Sequence, residues 1–573
     1  MWAVFGVVLL ATVFWRLLRP SKKNGDGVRP GLVGITYRSW VTPVKGTKLH
    51  NIRSGIGGFA DRLGAFAFAL TPLTIALCAR DSVLSLLTGI PYQSFNFLHR
   101  WTGRIILVQS FVHAIIWTIV EGRFYQPQPT VYVEWIQQKY MIWGIVAQAF
   151  ITFLFVFSLR PVIRWTGYEF FRKSHLVVAG MYLGACWGHW EKLSCWMIAS
   201  LAIMGFDLVA RTVRTCLIHF DYKNGSSGFG FRSIPAKMEV IKDPTGTIIR
   251  MTFTHSQQPW ELGQHFYLTF PELSIWQSHP FTPASNPTTT CGVQTHTYII
   301  RACNGETKKL AALAEAASNR YPFGGEITTP VILQGPYGSS MTNDEVQNVL
   351  AISGGTGVTY ALPIIKSALA DSSPVRNVEL VWTVRHLENL AWVGPELAYL
   401  KSQLGQALTR ISYSHDEHKS EKAPIVSVEM KKRFRIQLFV TQPDSGMLAS
   451  QRKPRDLDHN KGKDYGFDDK LSPVSSRSST HSWSLDYELK DLIREHPNFS
   501  ITYLDNTRPG VPSLVNAFID ETVEKGRTQV IGSGPPELGT QIRAAVAAKN
   551  RPSRVWCGDD KGDVECVWDD RMG

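Results

Sequence analysis

The chain has little that points to a protein-bound metal cluster. Its eight cysteines in 573 residues show no metal-ligand spacing, which excludes a cysteine-built zinc site. Cys186 and Cys195, near the ends of adjacent apolar stretches, are placed to pair outside a membrane, although two unpaired thiols are the simpler expectation. The N-terminal MWAVFGVVLLATVFWRLLRP lacks both a basic start and a small-residue cleavage site, so it reads as an anchor rather than a removable signal. The stretch HNIRSGIGGF is too short and polar to cross a bilayer. Nor does the net charge of +13 form a nucleic-acid patch. Much of it flanks apolar runs, at Arg16, Arg19, Lys22, Lys23, Arg160, Arg164, Arg172, Lys173, Arg211 and Arg214. That is the pattern of cytoplasmic membrane flanks, and membrane lipid rather than nucleic acid is the partner it indicates.

What the first 220 residues do contain is six hydrophobic segments, at about 1–18, 60–79, 99–120, 140–159, 174–190 and 194–210. Four histidines lie within them: His99 and His113 in one stretch, His175 and His189 in another. Each pair is 14 residues apart. On a helix that interval is roughly 21 Å along the axis and within about 40° of one face. Two such helices side by side oppose imidazole to imidazole at two depths. Ionisable groups in lipid are costly and mark function, and neutral imidazole is a usual axial ligand of haem iron. The spacing therefore predicts two stacked bis-histidine haems.

Basic flanks set the orientation from His99 onward. Arg100 and Arg104 lie inside, Glu121 to Lys139 outside, and the two histidine helices run parallel. His99 then pairs with His175 on the inner side, and His113 with His189 on the outer. Arg100 and Arg104 fit either haem propionates or simple interfacial anchoring. The segment Glu121 to Lys139 holds no ligand cluster of its own. Both flanks of the 60–79 stretch are basic, so one crossing does not reconcile them, and the orientation of the first span stays open.

After residue 230 the pattern changes to short, alternating β-branched runs such as TIIRMTFTH and THTYIIRA, as in a small β-barrel. From about 345, apolar strands alternate with helical stretches, which reads as a parallel α/β domain. Within it two glycine turns each follow a strand and precede a helix: Gly354-Gly355-Thr356-Gly357 and Gly532-Ser533-Gly534-Pro535. Such turns let a backbone approach a nucleotide phosphate at a helix N-terminus. The Ser-, Asp- and Lys-rich stretch 445–483 reads as a disordered insertion.

An ordered set of motifs then stands out: ADRLG, FNFLHRW, HPFTPAS, RACNGET, GPYG, GGTGVT, VWTVRHLENLAWVGPEL and GSGPP. With the two histidine pairs, this set resembles the ferric reductase family, the fungal ferric-chelate reductases in particular, within the ferric reductase and NADPH oxidase superfamily. The resemblance runs from about Ala60 onward. It implies a membrane α-helical bundle with two bis-His haems, followed by a cytosolic FAD-binding β-barrel and a ferredoxin reductase-like α/β NADPH-binding domain. The corresponding boundaries are 1–58 for anchor and linker, 59–218 for the haem domain, 230–338 for the FAD domain and 345–573 for the NADPH domain.

The resemblance also implies roles for particular residues. His279, Pro280, Phe281, Thr282 and Ser285 would bind FAD, with Phe281 facing the flavin and His279 approaching the diphosphate. Arg301, Gly305 and Thr307 resemble the next FAD-phosphate element, and Gly335 and Gly338 the turn into the nicotinamide domain. Gly354 to Gly357 and Thr359 would hold NADPH, with Gly532 to Pro535 near the nicotinamide. Electrons would pass from NADPH through FAD and two haems b to extracellular ferric or cupric chelates. The setting is the plasma membrane, or alternatively the vacuolar membrane, beside an iron-uptake permease or oxidase. A superoxide-producing NADPH oxidase and a degenerate non-catalytic homologue are the alternatives.

Three departures stand against the family pattern. Ser533 replaces a usual cysteine. The family usually ends on an aromatic that covers the flavin; the resemblance gives that role to Trp568, which here is followed by five more residues. Fungal members also usually carry another span before ADR.

Overall fold

The computed structural model describes residues 48–220, 230–256, 259–287, 289–290, 292–320, 325–338, 340–341, 345–406, 432–443, 493–494 and 496–569. The N-terminal anchor, most of the linker and the 445–483 insertion expected from the sequence lie outside these residues. The chain divides into two compact units at Arg211/Thr212.

The first unit is helical. Its long helices are α1 (Lys48–Ala76), α2 (Tyr92–Ile119), α3 (Lys139–Phe157), α4 (Tyr168–His189) and the greater part of α5 (Ser194–His219). The polar HNIRSGIGGF stretch forms no separate element; it lies in the first turns of α1. Four stretches among the described residues, Gly55–Ala76 in α1, Tyr92–Phe124 running on from α2, Lys139–Phe157 in α3 and Glu191–His219 including α5, are long and apolar enough to cross a membrane. Helix α4 is not among them, since Arg172, Lys173 and the two histidines offset its apolar centre. Apolar side chains cover the outside as well as the inside: Leu176, Val177, Phe206, Leu208 and Val209 are all exposed. A helix apolar on every face is stable when lipid is its surroundings.

Within this unit α1 packs along α2, and α3 along α4. Phe68, Leu107, Ile151, Tyr182, Leu183 and Met197 form the core among them. The carboxylate of Asp207 fastens one end. It accepts the amides of Arg80 and Asp81 at 2.9 and 3.0 Å and pairs with Arg211 at 2.8 Å. The described cysteines form no disulfide, so Cys186 and Cys195 are both free thiols.

The second unit contains two sheets. The first has seven strands in the order β4-β3-β7-β1-β2-β6-β5. These are β1 (Ile234–Asp243), β2 (Gly246–His255), β3 (His265–Thr269), β4 (His279–Phe281), β5 (Thr289–Thr290), β6 (Val293–Arg301) and β7 (Thr328–Tyr337). All pairings are antiparallel. The alternation read from the sequence sends Ala236, Met238, Met251, Phe253 and Tyr298 inward, under helix α6 (Glu306–Arg320). Strands β4 and β5 are its two edges.

The second sheet is parallel, in the order β11-β10-β9-β8-β12-β13. It comprises β8 (Val346–Gly354), β9 (Asn377–Val384), β10 (Arg433–Val440), β11 (Phe499–Tyr503), β12 (Arg527–Ser533) and β13 (Val564–Asp569). Helix α7 (Val358–Leu369) follows β8, α8 (Gly394–Gln406) follows β9, and α9 (Pro536–Lys549) follows β12. Strands buried on both faces read as near-continuous apolar runs, as NVLAI and ELVWTV do here. The order reverses between β8 and β12, and in open α/β sheets such a switch point is where a ligand crevice forms.

Candidate functional site

Two imidazole pairs occupy the helical unit. The ring centres of His99 and His175 are 6.3 Å apart, and those of His113 and His189 are 6.2 Å apart. The parallel arrangement of α2 and α4 brings each histidine to the partner at its own level. A metal atom bonded to one nitrogen on each side, at roughly 2 Å per bond, requires ring centres about 6 Å apart. The separations therefore suit a shared axial site.

The outer nitrogens are accounted for too. Nδ1 of His99 lies 2.8 Å from the Thr74 carbonyl, Nδ1 of His113 2.8 Å from that of Ala60, and Nδ1 of His189 2.8 Å from that of Tyr140. A carbonyl only accepts, so each of these Nδ1 atoms carries the proton and donates it. Nε2 is then left with its lone pair, the form a metal needs. Nδ1 of His175 is buried without a hydrogen-bond partner. Between the two levels Tyr182 and Leu183 are buried. Arg104 lies over the Trp101 ring at 5.1 Å.

In the second unit the HPFT segment and the GPYG turn flank one strand. β4 lays His279, Pro280 and Phe281 opposite Leu268, Tyr267 and Phe266 of β3. On the other side β3 pairs with β7, placing His265 opposite Tyr337. Gly335 has a φ of +137°, and a Cβ there would come within 2.9 Å of the Phe266 ring. Only glycine fits such a left-handed close approach. Ser285 is committed to the sheet: its hydroxyl donates to the Thr295 carbonyl at 2.8 Å and accepts the Thr297 amide at 3.1 Å. Arg301 ends β6. Gly305 and Thr307 start α6, whose N-terminus offers amides to an anion.

Two residues at the end of α5 reach this site within the same unit. Arg214 donates to the Pro336 carbonyl at 2.9 Å and lies over the Tyr337 ring at 5.0 Å. Nε2 of His219 accepts the Leu333 amide at 2.8 Å, while Nδ1 donates to the Arg232 carbonyl at 2.8 Å. Sequence reasoning placed Arg214 only as a membrane flank.

The two glycine turns leave neighbouring strands, with Gly532 opposite Ile352 and Ser533 opposite Ser353. They interlock. A Cβ at Gly357 would collide with the Ser533 carbonyl, and one at Gly354 would lie 3.0 Å from Pro535. Thr359 donates to the Thr356 carbonyl at 3.1 Å, and Trp382 Nε1 holds the Gly355 carbonyl at 2.9 Å. Trp382 lies in the VWTVRHLENLAWVGPEL motif, which by itself gave it no role. Ser533 is buried with its hydroxyl 3.5 Å from the Asp569 carbonyl. Trp568 lies in β13 opposite Gly532, and its indole packs on Gly532 and Gly539 of the nucleotide domain.

The fold defines a class: a helical region with stretches apolar enough to cross a membrane, followed by an antiparallel sheet domain and a parallel α/β domain with two glycine turns at its switch point. Comparison with protein-family models carries this further. A ferric reductase-like transmembrane component matches residues 63–186, an FAD-binding domain residues 232–341, and a ferric reductase NAD-binding domain residues 346–547. The chain belongs to the ferric reductase family.

Among its relatives, ferric reductase transmembrane component 3 of Saccharomyces cerevisiae is 30% identical over 60% of this chain and 45% of its own. Ferric reductase transmembrane component 4 of the same yeast is 26% identical over 87% of this chain and 61% of its own. A probable cell surface ferric reductase of Aspergillus oryzae is 26% identical over 66% of this chain and 50% of its own. The chain thus spans about half to three-fifths of the length of these relatives.

Proposed function

We propose that this protein is a transmembrane metalloreductase that takes electrons from cytosolic NADPH and delivers them to extracellular ferric chelates, or to cupric ion, in support of iron uptake. The observation that carries the reading is the pair of facing imidazoles at two levels of an apolar bundle, on the same chain as flavin and nicotinamide domains. Relatives bearing the words ferric reductase and ferric/cupric reductase support the choice of acceptor.

Each group has residues to hold it. His99 with His175, and His113 with His189, would hold two haems b. His279 to Thr282, with Arg301 and the α6 N-terminus at Gly305 and Thr307, would hold FAD. The interlocked turns Gly354 to Gly357 and Gly532 to Pro535, with Thr359, would hold NADPH. When bound, flavin takes an electron pair as hydride and releases electrons singly, which haem iron carries one at a time.

The chain's own contribution is positioning and proton bookkeeping. Backbone carbonyls keep the Nδ1 protons of His99, His113 and His189 in place, fixing their tautomer. Gly335 and Gly338 close the turn against β3. Trp382 and Ser533 hold the nucleotide turns at the switch point, and Trp568 braces Gly532 from beneath. The plasma membrane, with an iron-uptake permease or oxidase nearby, is the setting we assign.

The test uses membranes carrying the full chain. Supplied with NADPH on the cytosolic face, they reduce a membrane-impermeant ferric chelate on the other. Superoxide as the main product, unaffected by chelate, would assign the protein instead as an NADPH oxidase. No NADPH oxidation at all would mark a non-catalytic homologue.

A further inference from the structure

A pattern in the helical unit concerns which backbone carbonyls an imidazole can reach. In an α-helix the carbonyl of residue i points along the axis toward residue i+4, whose amide it accepts. A helical Cβ tilts toward the N-terminus, so the side chain at i+4 covers the turn before it, including that carbonyl. The oxygen retains a second lone pair, which is usable only where that cover is missing.

His113 bonds Ala60, and the residue four places on is Gly64. His189 bonds Tyr140, and the residue four places on is Gly144. A Cβ at Gly64 would lie 3.0 Å from His113 Nδ1, and one at Gly144 2.7 Å from His189 Nδ1. The third case supports the rule by exception. His99 bonds Thr74, but α1 ends at Ala76, so no helical side chain covers that oxygen; the Cys78 amide turns to Ile75 at 3.1 Å instead. The α3–α4 contact is reciprocal. While His189 fits over Gly144, the Trp143 ring fits over Gly188, where a Cβ would lie 2.8 Å from it.

We propose that Gly64 and Gly144 are positioning residues for the His113–His189 pair: by leaving a helix carbonyl uncovered, each lets its histidine anchor Nδ1 and present Nε2 to the shared ligand. The proposal rests on the haem reading above and concerns only this pair. The His99–His175 pair uses a helix end on one side and no acceptor on the other.

The experiment uses the full chain, purified in detergent after expression with haem supplied. Haem and FAD are quantified per chain, and low-temperature electron paramagnetic resonance is recorded on the oxidised protein. The unsubstituted protein gives two haems and two low-spin signals, and His113→Ala identifies the signal of its pair. Gly64→Ala and Gly144→Ala each displace or abolish that signal, lowering haem from two per chain toward one. The other signal and the FAD content stay unchanged. Gly103→Ala on α2 and Gly184→Ala on α4 serve as controls, because a Cβ at either meets nothing within 4 Å; both keep two unshifted signals.

The proposal is overturned if Gly64→Ala and Gly144→Ala leave both signals unshifted, if they abolish both together, or if the controls behave like them. An unsubstituted protein that binds no haem overturns the underlying reading as well. That outcome is distinct from two normal haems that ignore the alanines.

Discussion

The Arg250 guanidinium grips the Glu396 carboxylate through two hydrogen bonds of 3.0 and 2.6 Å, joining strand β2 to the first turn of α8. Both side chains are largely buried, and Arg250 also donates to the Trp392 carbonyl at 3.3 Å. Beside them Asp243 accepts hydrogen bonds from Asn389 and Trp392. The antiparallel sheet and the nucleotide domain are therefore clasped by charged and polar groups. Removing one member of a buried pair strands the other charge. Arg250→Ala or Glu396→Ala is expected to cost about 3–5 kcal/mol, whereas an apolar replacement of both, Arg250→Met with Glu396→Leu, is expected to cost far less. Thermal unfolding of the three purified variants checks the order.

Trp382 fixes the first glycine turn through a single hydrogen bond to Gly355. Trp382→Phe removes that donor while keeping an aromatic ring. A hydrogen bond of this kind contributes about 0.5–1.5 kcal/mol, so the NADPH KM should rise roughly two- to tenfold. Haem content should not change. Stopped-flow reduction of the bound flavin separates the two readouts.

Arg385 follows β9 at the carboxyl end of the sheet and is exposed there. An arginine at that place accommodates the 2′-phosphate of NADP-type cofactors. Arg385→Ala should therefore weaken NADPH by about 1.5–3 kcal/mol, roughly ten- to a hundredfold, and leave NADH nearly unaffected. The ratio of the two kcat/KM values reports this.

Glu379 is buried in β9, where it accepts a 2.7 Å hydrogen bond from Gln437. Burial raises its pKa from 4.5 to about 7, with Arg435 opposing the shift. The folded state thus binds a proton more tightly than the unfolded chain does. The stability this contributes is fully present below about pH 4.5 and is lost as pH rises through about 7. Glu379→Gln should remove this fall. Melting temperatures of both proteins between pH 5 and 8 should converge at the acid end and diverge toward the alkaline end.

Much of this site was legible because its residues repeat at intervals that geometry makes meaningful. The 14-residue spacing of His99 to His113 and of His175 to His189 predicted facing rings at two levels, and the basic flanks, by making the two helices parallel, chose which rings face each other. The glycine turns announced themselves by falling between strand and helix. The acceptors at Ala60, Thr74 and Tyr140 were not legible, because a backbone carbonyl has no residue identity. The roles of Gly64, the last residue of ADRLG, and of Gly144 were not legible either, because they depend on a histidine from another helix. The Arg250–Glu396 clasp joins residues 146 apart, and no local pattern encodes it. The 174–190 segment reads as one of six hydrophobic segments, yet the charges and histidines of α4 leave it outside the stretches apolar enough to cross a membrane, although it supplies half of the imidazoles.

The most direct measurement places NADPH inside sealed vesicles holding the full chain and an impermeant ferric chelate outside, and compares the unsubstituted protein with His113→Ala. The account predicts that the substitution removes one of two haems, abolishes chelate reduction across the membrane, and leaves NADPH-dependent flavin reduction inside intact. Undiminished chelate reduction by His113→Ala would contradict it.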